Sequence, residues 1–220
     1  EEAIALDPKY AFAYNVLGNT HLNDLWLGLS KSPRNSLMQA IKMAKKAIAL
    51  DDSHAAAHAV LGYYLIMARK HDEGIAEGEK AVSLGPNAAG VLQTYATILT
   101  YAGRREEAIP LFREALRLNP MPPNVYYRHF GMALRDSGQY EEAIALQKKA
   151  IEQDPNDFFA YVVLTSSCSL AGRDTEARAA AEEVIRINPR VSVARIQKVS
   201  PHKDRAVAKR YCDAQGRIQA

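Results

Sequence analysis

"SGQYEEAIALQKKAIEQDP", residues 137–155, contains the pattern that decides the fold. Its glycine, Gly138, suits a turn, because glycine can leave a helix at little cost. The apolar residues that follow recur at three- and four-residue steps, as they do on one face of a helix. Glu141 lies in the first turn, where an acid favours the positive end of the helix, and Pro155 prevents continuation. The stretch therefore predicts a turn, an amphipathic helix and a stop.

The same pattern returns along the chain at a nearly fixed interval. Six segments similar to "IEQDP" end at Pro8, Asp52, Pro86, Pro120, Pro155 and Pro189, with intervals of 44, 34, 34, 35 and 34 residues. A period of 34 residues, with one insertion of ten and one of a single residue, indicates a repeat protein.

Each repeat contains two helical patterns. "HAVLGYYLIMA" (58–68) is typical of the first, and "AGRREEAIPLFREALRL" (102–118), which begins with a turn, is typical of the second. Small residues recur at the positions where two helices must approach closely. They are Gly18, Gly62, Ala96 and Gly131 in the first helices, and Ala40, Ala47, Ala81, Ala108, Ala115, Ala143, Ala150 and Ala177 in the second.

This pattern resembles the tetratricopeptide repeat over about residues 1–190. The resemblance implies an all-α fold, a right-handed α-solenoid of helix pairs with a C-terminal capping helix. We expect a single domain over residues 1–220. Its parts are a remnant of a preceding repeat helix at 1–8, a first repeat at 9–52 with an insertion at about 23–33, further repeats at 53–86, 87–120, 121–155 and 156–189, and at 190–220 a capping segment that covers the last repeat.

The insertion is unusually apolar. Ser32 and Pro33 form a good helix start, with serine as N-cap and proline at the first helical position, and the preceding residues can prolong the first helix by about a turn. We expect the apolar side chains to fold over the edge of the bundle, with Trp26 substantially buried. The alternative is a hydrophobic lip for a partner or for self-association. The residues concerned are Leu25, Trp26, Leu27 and Leu29.

A narrower resemblance concerns "LWLGLSKSPRNSLMQAIKMAKKAIALDDSHAAAH" (25–58), "EGEKAVSLGPN" (77–87) and "SPHKDRAVAKRYCDA" (200–214). These stretches look like the C-terminal repeat regions of bacterial adenylate/guanylate cyclase-like proteins and of winged-helix regulators. The resemblance implies a regulatory region behind an N-terminal catalytic or DNA-binding domain. The chain also starts without methionine, so we expect a fragment of a longer protein.

The residues indicate no enzyme and no cofactor. His54 and His58 have a spacing that can hold a metal, but a third ligand is not evident, and His58 falls at a packing position. Cys168 also falls at a packing position, and with Cys212 it forms no metal or redox spacing. Two reduced thiols are typical of a cytoplasmic protein, and no apolar run reaches the length of a membrane span.

Charge is unevenly spread along the chain. Residues 190–220 carry eight basic and two acidic residues, a net charge of +6, whereas the remaining 20 basic and 23 acidic residues give −3. A basic tail can bind nucleic acid, but only Tyr211 is available there for base stacking. We therefore expect a solvated helix face and disfavour a nucleic-acid partner.

In tetratricopeptide arrays the first helices line a concave groove. Carried over by position, the resemblance implies an amide patch, an apolar stretch and a basic patch that could hold a peptide backbone and an acidic side chain. These residues, called the groove residues below, are Phe12, Asn15, Asn19, Val60, Tyr63, Ile66, Met67, Gln93, Thr97, Tyr101, Arg128, His129, Met132, Arg135, Phe159, Ser166 and Ser169.

Two functions follow from this pattern. The first is a protein-interaction module that binds a protein or peptide segment in the groove. The alternative is a self-association element, a homodimer that brings attached domains together. We further expect Arg128 and Arg135 to face the groove, so that replacing both with alanine weakens binding of an acidic partner without unfolding the domain.

Overall fold

In a computed structural model, the described residues are 2–26, 30–190, 192, 196, 200–207, 209 and 213, and the side chains of 23–26 are not described. Within them every regular element is a helix: α1 Glu2–Leu6, α2 Ala11–Trp26, α3 Pro33–Leu50, α4 Ala55–Met67, α5 His71–Leu84, α6 Ala89–Ala102, α7 Arg105–Leu118, α8 Asn124–Asp136, α9 Tyr140–Gln153, α10 Phe158–Leu170 and α11 Asp174–Ile187. In this part of the chain no helix combines the length and apolar character needed to cross a membrane.

The helices pack as antiparallel neighbours in two compact units. Unit 1 covers residues 1–98 and unit 2 covers residues 99–220. In unit 1, α2 packs on α3 and α4 on α5. In unit 2, α8 packs on α9 and α10 on α11. Each pair joins a first helix to the second helix that follows it, as the repeat period predicts.

The small residues lie where the two helices of a pair meet. The eight alanines predicted at these contacts in the second helices are fully buried, each with 0% exposure. The tightest approach is in unit 1, between Gly62 of α4 and Gly74 of α5. A Cβ atom on Gly62 would lie 2.7 Å from the carbonyl oxygen of Gly74, and one on Gly74 would lie 2.8 Å from that of Gly62. Gly74, where these repeats usually have alanine, is therefore required by the contact.

The turns between paired helices need a left-handed residue. The predicted turn glycines Gly103, Gly138 and Gly172 have φ of 89°, 85° and 75°. Arg69 occupies the same place 34 residues before Gly103 and has φ of 62°. The amide that follows each turn residue closes the end of the helix; Arg104 N, for example, donates to the carbonyl oxygen of Leu99 at 2.8 Å.

The insertion follows the predicted boundaries in its described part. Helix α2 continues to Trp26, and α3 begins at Pro33 directly after Ser32. The Ser32 side chain makes no capping hydrogen bond; instead its backbone N–H donates to Ser30 Oγ at 3.1 Å, and Ser30 Oγ pairs with Ser36 Oγ at 2.7 Å. The predictions for the side chains of Leu25 and Trp26, and for Leu27 and Leu29, lie outside the described residues.

Replacing Gly62 with alanine should lower the free energy of unfolding by about 1–3 kcal/mol, because the added methyl group would press on the backbone of Gly74. Gly90→Ala is the matched control. Gly90 is an exposed residue of helix α6, so the same change should leave stability unchanged or raise it by up to about 1 kcal/mol. Urea unfolding followed by circular dichroism measures both. If the Gly62→Ala chain were as stable as the Gly90→Ala chain, α4 and α5 could move apart at no cost, which would contradict the prediction.

Candidate functional site

The groove residues of unit 1 differ widely in exposure. Phe12 and Asn19 are exposed; Val60, Tyr63 and Met67 are half-buried; Asn15, Ile66, Gln93 and Thr97 are buried. Tyr64, which the groove prediction did not include, donates to Asn19 Oδ1 at 2.6 Å. The Oδ1 atom of Asn15 is buried without a hydrogen-bond partner. Unit 1 therefore presents accessible apolar and amide groups, and it contains a buried polar atom without a hydrogen-bond partner.

The two residues suspected of unusual chemistry pack as predicted. In unit 1, His58 Nδ1 lies 2.6 Å from Glu77 Oε2 and its Nε2 lies 3.1 Å from the carbonyl oxygen of Asp52, so protein groups contact both ring nitrogens. In unit 2, Cys168 is fully buried in a cluster that includes Leu164. Burial raises the pKa of its thiol to about 11, which keeps it protonated near neutral pH.

The groove residues of unit 2 lie on α6, α8 and α10. Tyr101, Met132, Arg135 and Ser166 are buried, while Arg128, His129, Phe159 and Ser169 are half-buried. Two arginines were expected to meet an acidic partner, and in the structure both are engaged within the chain.

Arg128 binds an aspartate of the next repeat. Its Nη1 atom lies 3.1 and 3.2 Å from the two carboxylate oxygens of Asp157, whose side chain is 2% exposed. Asn124 Nδ2 donates to the same carboxylate at 2.9 Å, and the backbone N–H of Ala160 donates to it at 3.0 Å, so Asp157 also caps α10. The Arg128 guanidinium further lies over the ring of Phe159, 5.4 Å from its centroid. Arg128 therefore neutralises a buried charge within the fold, and its binding of an acidic partner stays a prediction.

Arg135 is also part of a buried network. Its Nε and Nη2 atoms donate to Asp136 Oδ1 at 2.9 and 2.7 Å, and its Nη1 donates to Ser166 Oγ at 3.1 Å. The side chains of Arg135 and Asp136 are 3% and 2% exposed. Arg135 therefore joins α8 to α10, and its buried guanidinium is already paired within the chain.

A segment near the C-terminus completes this network. We call Ser200–Val207 the return segment. His202 Nε2 lies 2.9 Å from Asp136 Oδ2, and His202 Nδ1 lies 2.8 Å from Ser200 Oγ. The imidazole meets the ring of Tyr101 edge-on, with 4.9 Å between centroids and an interplanar angle of 79°. Ser200, Pro201 and His202 are all buried.

A backbone hydrogen bond also joins the return segment to the end of α6. The N–H of Lys203 donates to the carbonyl oxygen of Tyr101 at 2.8 Å, where α6 ends. At the rim, Arg105 Nη2 and Asp204 Oδ2 are 4.0 Å apart. We expected this part of the chain to cover the last repeat; the contacts described for the return segment are made with α6, α7 and α8.

The groups around Asp136 shift the pKa of its carboxyl. Burial acts to raise the pKa of Asp136, but the charge of Arg135 and the hydrogen bonds with Arg135 and His202 outweigh it and lower that pKa far below its usual range. Asp136 is consequently an ionised carboxylate in a dry site, where its hydrogen bonds are strong and costly to leave unmade.

The groove prediction missed Asp136, His202 and Asp157. Asp136 could have been found, because it occupies the place that Tyr101 holds one repeat earlier and Met67 two repeats earlier. His202 carries no such signal, since it lies in the basic tail outside the repeat period.

Known proteins share this architecture. A family model described as tetratricopeptide repeat matches residues 27–89, 96–158 and 130–191. The small glutamine-rich tetratricopeptide repeat-containing protein 2 of Mycosarcoma maydis is 29% identical over 96 residues, which cover 44% of this chain and 27% of that relative.

Two solved structures are similar over most of the chain. YrrB, described as a TPR protein with an unusual peptide-binding site, is 24% identical with a TM-score of 0.53, and the match covers 86% of this chain and 92% of YrrB. PilW, a widely conserved type IV pilus biogenesis factor, is 17% identical with a TM-score of 0.66, covering 94% and 92%. These likenesses concern the fold, and they confirm the predicted all-α solenoid class of helix pairs.

Arg128→Ala should lower the free energy of unfolding by about 2–3 kcal/mol, because it leaves the Asp157 carboxylate buried without its countercharge. The loss stays below that of a fully isolated charge, since Asn124 and Ala160 still donate to the carboxylate. Arg117→Ala is the control, because Arg117 pairs with Glu114 at the surface and its loss should not change stability measurably. Urea unfolding measures the stability of both variants. If Arg128→Ala were as stable as Arg117→Ala, the Arg128–Asp157 pair would not form.

Proposed function

Because the chain belongs to the tetratricopeptide repeat family, we propose that it binds an extended segment of a partner protein against its first helices, as the regulatory part of a larger bacterial protein. The family fold is that of a protein–protein interaction module. Binding at the groove residues is the specific form proposed for this chain.

One observation carries the proposal. The tripeptide Ser200–His202 lies buried in unit 2 against Tyr101 and Asp136, which are residues of first helices. It uses side-chain hydrogen bonds, a ring contact and, at the next residue, a backbone hydrogen bond. These are the interactions by which an extended peptide is recognised, so this surface of unit 2 has the chemistry to hold one.

Unit 1 offers a second set of groups of the same kind. The half-buried side chains of Val60, Tyr63 and Met67 supply apolar area, and Asn19 supplies an exposed amide. The exposed amide of Asn19 can exchange hydrogen bonds with a peptide backbone. A partner segment would therefore gain both apolar burial and a hydrogen bond here.

The proposed partner is a protein or peptide. The peptide-binding site described for YrrB supports this class of ligand by likeness of fold. Nucleic acid is not favoured, because Tyr211 is the one aromatic residue among the basic residues of the tail that could stack on a base. We place the protein in the cytoplasm and assign it no catalytic activity or cofactor.

Self-association is the second candidate, and an exposed apolar group at the start of unit 1 favours it. Leu6 is 88% exposed, Tyr10 47%, Phe12 53% and Val16 48%. Phe12 and Val16 are four residues apart on α2 and so share one face, while the rings of Tyr10 and Phe12 lie 6.0 Å apart. A second copy of the chain could cover this surface.

Site-specific photocrosslinking in the host cell tests the proposal. The photoreactive residue benzoylphenylalanine replaces Tyr63 or Phe159, two half-buried aromatic residues of first helices, so the change in shape is small. The controls carry it at Lys45 or Arg178, which are exposed on second helices. We expect covalent adducts with another protein at Tyr63 and Phe159 and far fewer at the control positions.

Two other results would count against groove binding. Equal adducts at first-helix and second-helix positions would show that the partner does not use the groove residues. Adducts of twice the mass of the chain itself would favour self-association instead.

A further inference from the structure

The contacts of the return segment show which side chain this part of unit 2 is built to receive. We propose that Tyr101, Arg135 and Asp136 form a receptor for a histidine presented by an extended peptide. We call these three residues the histidine pocket. Ser200–Lys203 is its resident ligand, and a partner segment with the same pattern displaces it. The inference rests on the proposed function and specifies the partner at this end of the groove.

The charge balance of the pocket favours an imidazole. Arg135 donates two hydrogen bonds to Asp136 Oδ1, and His202 Nε2 is hydrogen-bonded to Asp136 Oδ2. Guanidinium and carboxylate already neutralise each other in a site that is almost closed to solvent. A lysine or arginine ligand would always add a net charge there, which is costly to desolvate. An imidazole can donate one N–H to Oδ2 in its neutral form and adds none.

The shape of the pocket gives a second criterion. The ring of Tyr101 lies at 79° to the imidazole with 4.9 Å between the centroids, an edge-to-face arrangement that suits a flat ring. An amide side chain could donate to Asp136 but would leave the Tyr101 ring without this contact. Imidazole and indole both combine a flat ring with an N–H donor, but only imidazole has a second ring nitrogen for the Ser200 hydroxyl, and this identifies histidine.

The residues on either side of the histidine extend the pattern. Ser200 Oγ pairs with His202 Nδ1, so a hydroxyl two residues before the histidine satisfies its second nitrogen. Pro201 between them is buried and restricts the backbone. The N–H of the residue after the histidine donates to the carbonyl oxygen of Tyr101. The recognised unit is Ser-Pro-His followed by any residue that retains its backbone N–H.

Beyond this unit, the contacts described for the segment include a hydrogen bond from Arg205 Nη1 to the carbonyl oxygen of Ser200 at 3.2 Å. Residues 203–206 are exposed, and Val207 is the next buried position. The Arg105–Asp204 pair, at 4.0 Å with Asp204 52% exposed, adds little to stability. Because the segment belongs to the same chain, it also has a high effective concentration at the pocket. A partner that carries the pattern competes with it directly.

A synthetic peptide of residues 200–207, SPHKDRAV, with a fluorophore at its C-terminus, tests the proposal on the complete chain. His202→Ala removes the resident imidazole while leaving Tyr101, Arg135 and Asp136 unchanged. We expect fluorescence anisotropy to show binding to His202→Ala at least about tenfold tighter than to the unchanged chain. The matched control peptide SPAKDRAV should bind neither chain. Circular dichroism confirms that His202→Ala retains its helices.

The outcomes are distinct from those of the crosslinking test. Failure of SPHKDRAV to bind a folded His202→Ala chain, or equal binding of the two peptides, would overturn the histidine pocket. First-helix crosslinks could still support the proposed function.

Asp136→Asn added to His202→Ala should abolish peptide binding if that variant stays helical. Concentration-dependent dimers of the unchanged chain that disappear in His202→Ala would assign the pocket to a second copy, and they would overturn displacement by a partner.

Discussion

The close approach of two helix backbones within each pair is the constraint on which the rest of the structure depends. At Gly62 and Gly74 there is no room for a methyl group, and alanines fill the equivalent contacts of the other pairs without exposure. Because the two helices of a pair are fixed by these contacts, residues at equivalent positions of first helices occupy equivalent places. Met67, Tyr101 and Asp136 are such a series, so the side-chain chemistry at this position can change while the helix pair stays the same.

The two units use this arrangement differently. Unit 1 presents accessible apolar and amide side chains, whereas unit 2 has a charge-balanced network around Asp136 that its own chain already contacts. A buried network of this kind is favourable only when every member is satisfied. A partner that removed His202 from Asp136 would have to replace its hydrogen bond, which makes the network a source of specificity as well as of stability.

The repeat period predicted the helix pairs, the turns and the small contact residues, because each depends on a residue type that recurs at a fixed interval. The roles of Arg128 and Arg135 could not be predicted in the same way. Periodicity assigns a residue to a face of a helix, but Asp157 and Asp136 decide whether its charge reaches solvent. The contact of His202 joins residues 66 positions apart and leaves no periodic signal. Arg69 shows a further limit, since its positive φ is imposed by the turn without a glycine.

Native-state hydrogen exchange at the amide of Lys203 tests the central claim, that the return segment is a replaceable ligand on a preformed surface. This amide donates to the carbonyl oxygen of Tyr101, and the amide of Leu134, in the interior of α8, reports on the helix beneath. The expected result is exchange of Lys203 through a local opening that low urea does not accelerate, while Leu134 exchanges only when unit 2 unfolds. Exchange of both amides with the same opening free energy and the same urea dependence would show that the return segment is an inseparable part of the fold, and would contradict the claim.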